Sequence, residues 1–360
     1  MKIAIDCRHI DSSGIGVYLK GCLPFFLDTK NEFILFGNSG QLQFADQNKN
    51  TKIIHCTVKP FSPRDTFFFP KIILKQINSA DIFYSPSFNI PGGIKIPIYT
   101  TIHDIVFPDM PELTSKIGLV LRMWFFRRAY KKSCIIYTVS EFSKSRITFH
   151  LGKLKPIIVT YSAIQYSFIK YKVKAGNISK NETIIFIGNM KKNKGLGCLL
   201  DAFKKAKNEG LPHNLVIVGN SENFRTVDNL SYKIIELFEN KNIYFTGYIF
   251  DELLMDYLSQ ASLLIQPSLY EGFGLPPLEA MVLGTPALIS DIPVFKEVYK
   301  DFPVTFFRTG DSDDLKNKMM DILIKNKSSS NKTSVPILSG ELVKKYTFEK
   351  TSKIIEREFK

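Results

Sequence analysis

Between residues 183 and 325 the chain alternates short apolar runs with segments of helical period. The runs fall at 184–187, 215–218, 243–245, 263–265 and 287–289, and the helical segments at 196–206, 232–238, 251–260, 276–282 and 293–299. A run such as Ile184-Ile185-Phe186-Ile187 is apolar at every position, so both of its faces are covered. Strands of this kind separated by helices predict a parallel, doubly wound sheet. The first half repeats the pattern less cleanly, with strands predicted over 3–5, 33–36, 82–84, 98–101 and 135–139 and a helix over 18–27. Periodicity fails over 166–181 and again over 326–335, and a last helix is predicted over 348–359. The expected fold class is α/β with two Rossmann-like domains, 1–165 and 182–340, a linker at 166–181, and a helical segment over 341–360 that packs back on the first domain. A chain of 360 residues is long enough for two cores.

Composition narrows the class. With 44% apolar and 23% charged residues the chain is globular, neither disordered nor fibrous. The longest apolar stretches, 117–120 and 123–126, are broken by Arg122 and Arg127, far short of the ~20 residues that span a bilayer. The opening run Met1 to Asp6 is too brief for a signal peptide and reads as a first strand. Five scattered cysteines, Cys7, Cys22, Cys56, Cys134 and Cys198, lack the paired spacing of a zinc site or a disulfide framework, so reduced thiols and a cytoplasmic location are expected. Net charge is +14 and uneven. Residues 1–165 carry 21 Lys and Arg against 11 Asp and Glu, which leaves +4 for the rest. An anionic partner suits such a field, whether nucleic acid, an acidic membrane or a diphosphate-linked substrate, as does a solvated basic surface with no partner. The basic and aromatic stretch from Arg122 to Lys132 either lies on an anionic membrane surface or packs Trp124 and Phe125 into the core.

The strongest motif is Glu271-Gly272-Phe273-Gly274-Leu275-Pro276-Pro277-Leu278-Glu279, after a predicted strand and at the start of a helix that accepts prolines in its first turn. Glycines at 272 and 274 admit close approach of a ligand, amides at the helix start favour an anion, and an ionised Glu279 accepts hydrogen bonds from ribose hydroxyls. A second loop, Gly188-Asn189-Met190-Lys191-Lys192-Asn193-Lys194-Gly195, places a lysine as a point charge for phosphate. Ser13-Gly14-Ile15-Gly16 is half of a dinucleotide fingerprint, with Leu19 where the third glycine would stand. His103-Asp104 ends the strand over 98–101. Taken singly, each has a plain structural alternative: a helix-dipole acid, a solvated lysine turn, a tight turn, a core histidine. Asp311 to Asp314 mimics a metal-binding D-x-D but opens a helix and reads as an N-cap, as does Ser140.

Together these segments resemble glycosyltransferase family 4. The nine residues from Glu271 to Glu279 are similar to its E-x7-E motif, and Gln266-Pro267-Ser268 and the segment from Ser290 to Glu297 resemble their counterparts. The resemblance implies a GT-B fold, two Rossmann-like domains facing a central cleft, and retaining, metal-independent transfer of a hexose from a nucleotide diphosphate sugar. It implies catalytic roles for His103, Glu271 and Lys194, and donor contacts from Gly14, Gly16, Asn189, Lys194, Phe273, Gly274, Leu275 and Glu279. Relatives carry an arginine where Asn189 stands, and Lys191 or Lys192 is the substitute for that charge. No cofactor and no metal site are implied. The acceptor implied is lipid-linked or an oligosaccharide, a growing surface glycan such as O-antigen, with a peripheral place on the inner membrane face; mannose from GDP or rhamnose from dTDP is the implied sugar. The competing functions are a nucleotide-sugar epimerase or a phosphorylase on the same fold, and a basic protein that binds nucleic acid. A NAD-dependent oxidoreductase is opposed by Leu19.

Overall fold

The computed structural model describes residues 1–175, 180–219, 236, 239, 241–324 and 340–359. The helix predicted over 232–238, residue 236 aside, and the stretch over 326–335 lie outside the described residues. The chain divides into two compact units, Met1–Gln165 with Tyr346–Lys360, and Tyr166–Lys345.

In the first unit the chain runs β1 (Lys2–Asp6), α1 (Ser13–Leu27), β2 (Glu32–Gly37), β3 (Thr51–His55), α2 (Pro63–Phe67), α3 (Lys71–Ile77), β4 (Ile82–Ser85), β5 (Ile98–Thr101), α4 (Val106–Asp109), α5 (Lys116–Lys132), β6 (Ile135–Thr138), α6 (Glu141–Leu151) and β7 (Ile157–Val159). Its seven strands order as β3-β2-β1-β4-β5-β6-β7, every pair parallel. The second unit runs α7 (Tyr166–Ala175), β8 (Thr183–Ile187), α8 (Leu196–Asn208), β9 (Asn214–Val218), β10 (Ile243–Gly247), α9 (Asp251–Gln260), β11 (Leu263–Gln266), α10 (Pro276–Val282), β12 (Ala287–Ser290), α11 (Pro293–Val298), β13 (Thr305–Phe307), α12 (Ser312–Leu323) and α13 (Gly340–Val343). Its six strands order as β10-β9-β8-β11-β12-β13, again all parallel. Both sheets are doubly wound with the reversal of order beside their own first strand, between β1 and β4 and between β8 and β11. The continuous apolar runs seen in the sequence are the central strands, and β1, β4, β8 and β11 have no exposed position.

The last helix, α14 (Phe348–Arg357), lies against α1. Its Phe348 and Ile355 are buried, Thr351 Oγ1 donates to the Thr160 carbonyl at 3.1 Å, and the Ile355 carbonyl accepts from Tyr137 at 3.0 Å.

Three local expectations change. The span 166–181, read as a linker, opens with α7, which buries Phe168 and packs on α10. Flanking Lys and Tyr residues hide so short an apolar face. Helix α1 begins at Ser13 and not near 18, so Gly14 and Gly16 stand in its first turns; the poor helix propensity of glycine masks that start. The alternatives for the Trp124 stretch divide, since Phe125 is buried and Trp124 is exposed on the same helix. Both predicted caps form: Ser140 accepts from the Ser143 amide, and Asp311 from those of Asp313 and Asp314. All five cysteines are free thiols, and among the described residues no helix is long and apolar enough to cross a membrane.

Candidate functional site

In an open doubly wound sheet, ligands bind beyond the carboxyl ends of the strands where the order reverses. In the second unit that point lies between β8 and β11, and the loops that follow these strands carry Lys194 and Glu271. The two side chains meet there. Lys194 Nζ donates to Glu271 Oε1 at 2.7 Å and to Oε2 at 2.8 Å. Ser268 Oγ donates to Oε1 at 2.8 Å and accepts from Gln266 Nε2 at 3.0 Å. The pair is mostly buried but reaches solvent, with Lys194 19% and Glu271 9% exposed at the side chain.

Local backbone makes this meeting possible. Gly195 follows Lys194 at φ +67°, and a Cβ there would stand 1.8 Å from the Pro267 carbonyl oxygen, so only glycine lets the first loop press against the second. Asn193 fastens the two together. Its carbonyl accepts from the amides of Leu269 at 2.8 Å and Tyr270 at 3.3 Å, and its Nδ2 donates to the Tyr270 carbonyl at 3.3 Å. Gly274 turns the second loop at φ +83°, where a Cβ would strike the Phe295 ring at 2.4 Å. Its carbonyl accepts from the Tyr299 hydroxyl.

Pro276 and Pro277 open α10 and have no N–H, so this helix start offers an anion fewer donors than the sequence implies. Phe273 is buried. Lys191 and Lys192 are exposed, and Asn189 Oδ1 accepts from the Lys191 amide at 3.4 Å. Glu279 lies one turn into α10, 7% exposed. Burial, and then the negative charge of Asp251, push its carboxyl up to about 8. The carboxyl is therefore protonated at neutral pH.

The first unit has its own reversal, between β1 and β4. Gly16 stands where a Cβ would lie 2.4 Å from the Ile10 carbonyl oxygen, holding α1 close to the loop after β1; a Cβ at Gly14 would meet open space. In that loop Arg8 is fully enclosed. It donates to Asp6 from Nε at 2.9 Å and Nη2 at 2.6 Å, and from Nη1 to Asp65 at 2.6 Å and to the Val58 carbonyl at 3.1 Å. Burial opposes its charge, but the two carboxylates outweigh burial and keep it protonated. His103 follows β5. Its Nε2 lies 2.8 Å from the Pro86 carbonyl, so Nε2 carries the proton and Nδ1 is the acceptor nitrogen. Burial lowers this imidazole to about 4, only partly offset by the Pro86 bond, and it is neutral at physiological pH. The ring packs edge-on to Tyr18 at 4.9 Å.

Of the residues singled out in the sequence, Lys194, Glu271, Asn189, Phe273, Gly274, Leu275 and Glu279 belong to the second unit, and Gly14, Gly16 and His103 to the first. The supporting groups Asn193, Ser268 and Tyr299 were not legible as such. Ser268 stands three residues before Glu271, a spacing that offers a cap-like bond, but nothing in the sequence shows that Asn193 bridges two loops 77 residues apart.

Comparison with known proteins comes to the same place. Residues 167–334 match the family described as glycosyl transferases group 1. "O-antigen chain mannosyltransferase B" of Escherichia coli is 27% identical over 229 residues, covering 61% of this chain and 59% of that protein. "O-antigen chain mannosyltransferase RfbU" of Salmonella typhimurium is 30% identical over 204 residues, covering 55% and 53%. The chain thus spans between half and three fifths of the length of these relatives. Among solved structures, Anabaena Alr3699/HepE in complex with UDP-glucose superposes with a TM-score of 0.71 at 17% identity over 99% of this chain and 98% of that one, a likeness of fold. Residues 167–334, most of the second unit, thus match the group 1 glycosyl transferases, and with two parallel doubly wound units built around two order reversals the chain has the GT-B fold.

Proposed function

We propose that the chain transfers a hexosyl unit from a nucleotide diphosphate sugar to a growing, lipid-linked or oligosaccharide glycan such as an O-antigen, with retention of configuration and without a divalent metal. The observation that carries this reading is the Lys194–Glu271 pair between the loops after β8 and β11, with Glu279 one helical turn behind. A diphosphate entering there competes with Glu271 for Lys194. As the sugar–phosphate bond breaks, negative charge develops on the leaving diphosphate, and a fixed ammonium with the amides of Phe273 to Leu275 stabilises it without reorganisation. Glu271, released from Lys194 but still held by Ser268, turns its carboxylate to the sugar. Glu279 takes the ribose hydroxyls. His103, neutral and with Nδ1 as acceptor, is assigned to a sugar hydroxyl, and Gly14 and Gly16 to donor contacts. The acceptor proton leaves with the departing phosphate. The names of the Escherichia coli and Salmonella relatives favour mannose over rhamnose.

The test is to incubate purified protein in excess chelator with GDP-mannose or dTDP-rhamnose and a mannose-terminated oligosaccharide, following anomeric protons by NMR. A product that keeps the anomeric configuration of its donor, α-linked from GDP-mannose, and forms only when acceptor is present is expected. Donor consumption without acceptor would point to epimerase chemistry, activity restored only by magnesium or manganese would overturn the metal-free step, and an inverted product would overturn retention.

A further inference from the structure

We infer that Asp109, gripped by Arg146 and His150, is a positioning residue that fixes the loop carrying His103. The chain leaves β5 at Thr101 and enters α5 only at Lys116, and between His103 and Ser115 one residue, Ile105, is buried. Ile105 sits in an apolar cluster with Ile102, Phe126, Tyr130, Ile136 and Ile147. Past Ile105 every residue of the segment is at least partly exposed, so burial alone does little to hold it in place.

Polar contacts hold it instead. Asp104 Oδ1 accepts from the Val106 amide at 3.1 Å, and the Val106 carbonyl accepts from the Met110 amide at 2.7 Å, which makes α4 a single turn with Asp104 bonded to its start. A turn this short is unstable by itself, because helix nucleation fixes several residues for one hydrogen bond. Two neighbouring helices grip its side chains. From α6, Arg146 donates to Asp109 from Nε to Oδ2 at 2.9 Å and from Nη2 to Oδ1 at 2.5 Å, and His150 Nε2 donates to Oδ1 at 2.7 Å. From α5, the Arg122 guanidinium lies 4.1 Å from the centre of the Phe107 ring. A two-bond arginine–carboxylate pair fixes orientation as well as distance. With Asp109 7% and Arg146 32% exposed at the side chain, the pair is sheltered from solvent more than a surface ion pair is.

His103 stands between two anchors. On one side the Ile102 amide donates to the Tyr137 carbonyl at 2.8 Å and ties the backbone to the sheet. On the other, Asp104 is bonded into α4, whose far end is Asp109. The place of the imidazole, with Nε2 on the Pro86 carbonyl and Nδ1 as acceptor, therefore depends on both, and releasing Asp109 loosens the second. The bearing of this on sugar transfer rests on the glycan-transfer reading. The positioning does not, and its first readout needs no substrate.

The full chain is titrated by imidazole NMR. It has five histidines, and the His103 signal is the one missing from His103→Gln. In the parent, burial holds this ring at about 4. In Asp109→Asn, which keeps the size of the side chain, the His103 titration should rise by about one pH unit or more as water reaches the loosened loop. Loss of a negative charge by itself would move an imidazole the other way, so the rise separates positioning from a change of field. Arg146→Gln should move His103 in the same direction, and it carries the test if the asparagine variant does not fold. Under the transfer reading both variants should lower kcat about tenfold or more while donor KM changes less than about threefold. An unmoved His103 titration in the folded variants overturns the proposal. A raised titration with kcat unchanged leaves the positioning and overturns its bearing on transfer, and a parent without transferase activity overturns the earlier reading and not this one.

Discussion

The two order reversals have the same topology and different chemistry. Each sheet reverses beside its first strand, and at each reversal a cation from the loop after that strand meets carboxylate. At β1/β4 the cation is Arg8, surrounded by Asp6, Asp65 and the Val58 carbonyl, with side chains 2% exposed or less. At β8/β11 it is Lys194, which has one carboxylate and a path to solvent. The first cluster is closed: every strong donor of Arg8 is aimed at a group of its own unit, and the Phe36 and Phe69 rings cover it at 5.4 and 5.3 Å. The second is open, because both its lysine and its carboxylate reach solvent. A buried ion pair alone does not mark a site; what distinguishes the two is whether a ligand can take a partner's place.

Removing each cation sharpens the comparison. Arg8→Ala leaves two carboxylates buried without their shared partner, and breaking such a pair costs about 3–5 kcal/mol. Chemical unfolding should show a loss of that size. A loss below about 1 kcal/mol would mean that the cluster is wetter than its enclosure implies. Lys194→Ala should behave in the opposite way. Glu271 keeps Ser268 and its route to solvent, so stability changes little. Affinity for a nucleotide diphosphate sugar should fall by the ~1.5–3 kcal/mol of a hydrogen bond to a charged group, roughly 10- to 150-fold. Calorimetric titration measures it, and unchanged affinity would remove Lys194 from the donor site.

How much of this was legible follows the same division between closed and open. The central strands announce themselves, because a strand buried on both faces must be apolar throughout. Strands β3, β7 and β13 did not, and all three are sheet edges: Thr51–His55 has one buried position, Ile157–Val159 none and Thr305–Phe307 one. At these edges the apolar runs are too short to announce a strand, three residues at Ile157-Ile158-Val159 and two each at Ile53-Ile54 and Phe306-Phe307. Lys194, Glu271 and Glu279 stood out because their loops carry glycines and prolines at spacings that chemistry explains. The Arg8 cluster did not, since Asp65 lies 57 residues from Arg8 and neither looks unusual in its own segment. Long-range pairing, unlike a local turn, leaves no trace along the chain.

Glu279 offers the most discriminating effect, with only about a tenfold change in donor affinity, because its carboxyl is raised to about 8 by burial and Asp251. Above its ordinary value of 4.5 the unfolded chain ionises this group while the folded chain keeps the proton. The folded state therefore binds more protons between about 4.5 and 8, and its stability falls as pH rises through that window, by up to about 1.4 kcal/mol per unit from this group. Glu279→Gln should flatten that part of the profile and be at least as stable as the parent at pH 9. Donor binding should run the other way. If the ionised carboxylate accepts from both ribose hydroxyls, binding requires loss of the proton, and at pH 7 only about one molecule in ten is ready. Affinity should then rise about tenfold from pH 7 to pH 9 and level off, while the glutamine variant stays flat and weaker. Calorimetry in two buffers of different ionisation enthalpy would count the proton released. A pH-independent affinity in the parent would mean that the neutral acid binds the ribose, donating one bond and accepting another, and affinity that falls with pH would place the ribose elsewhere.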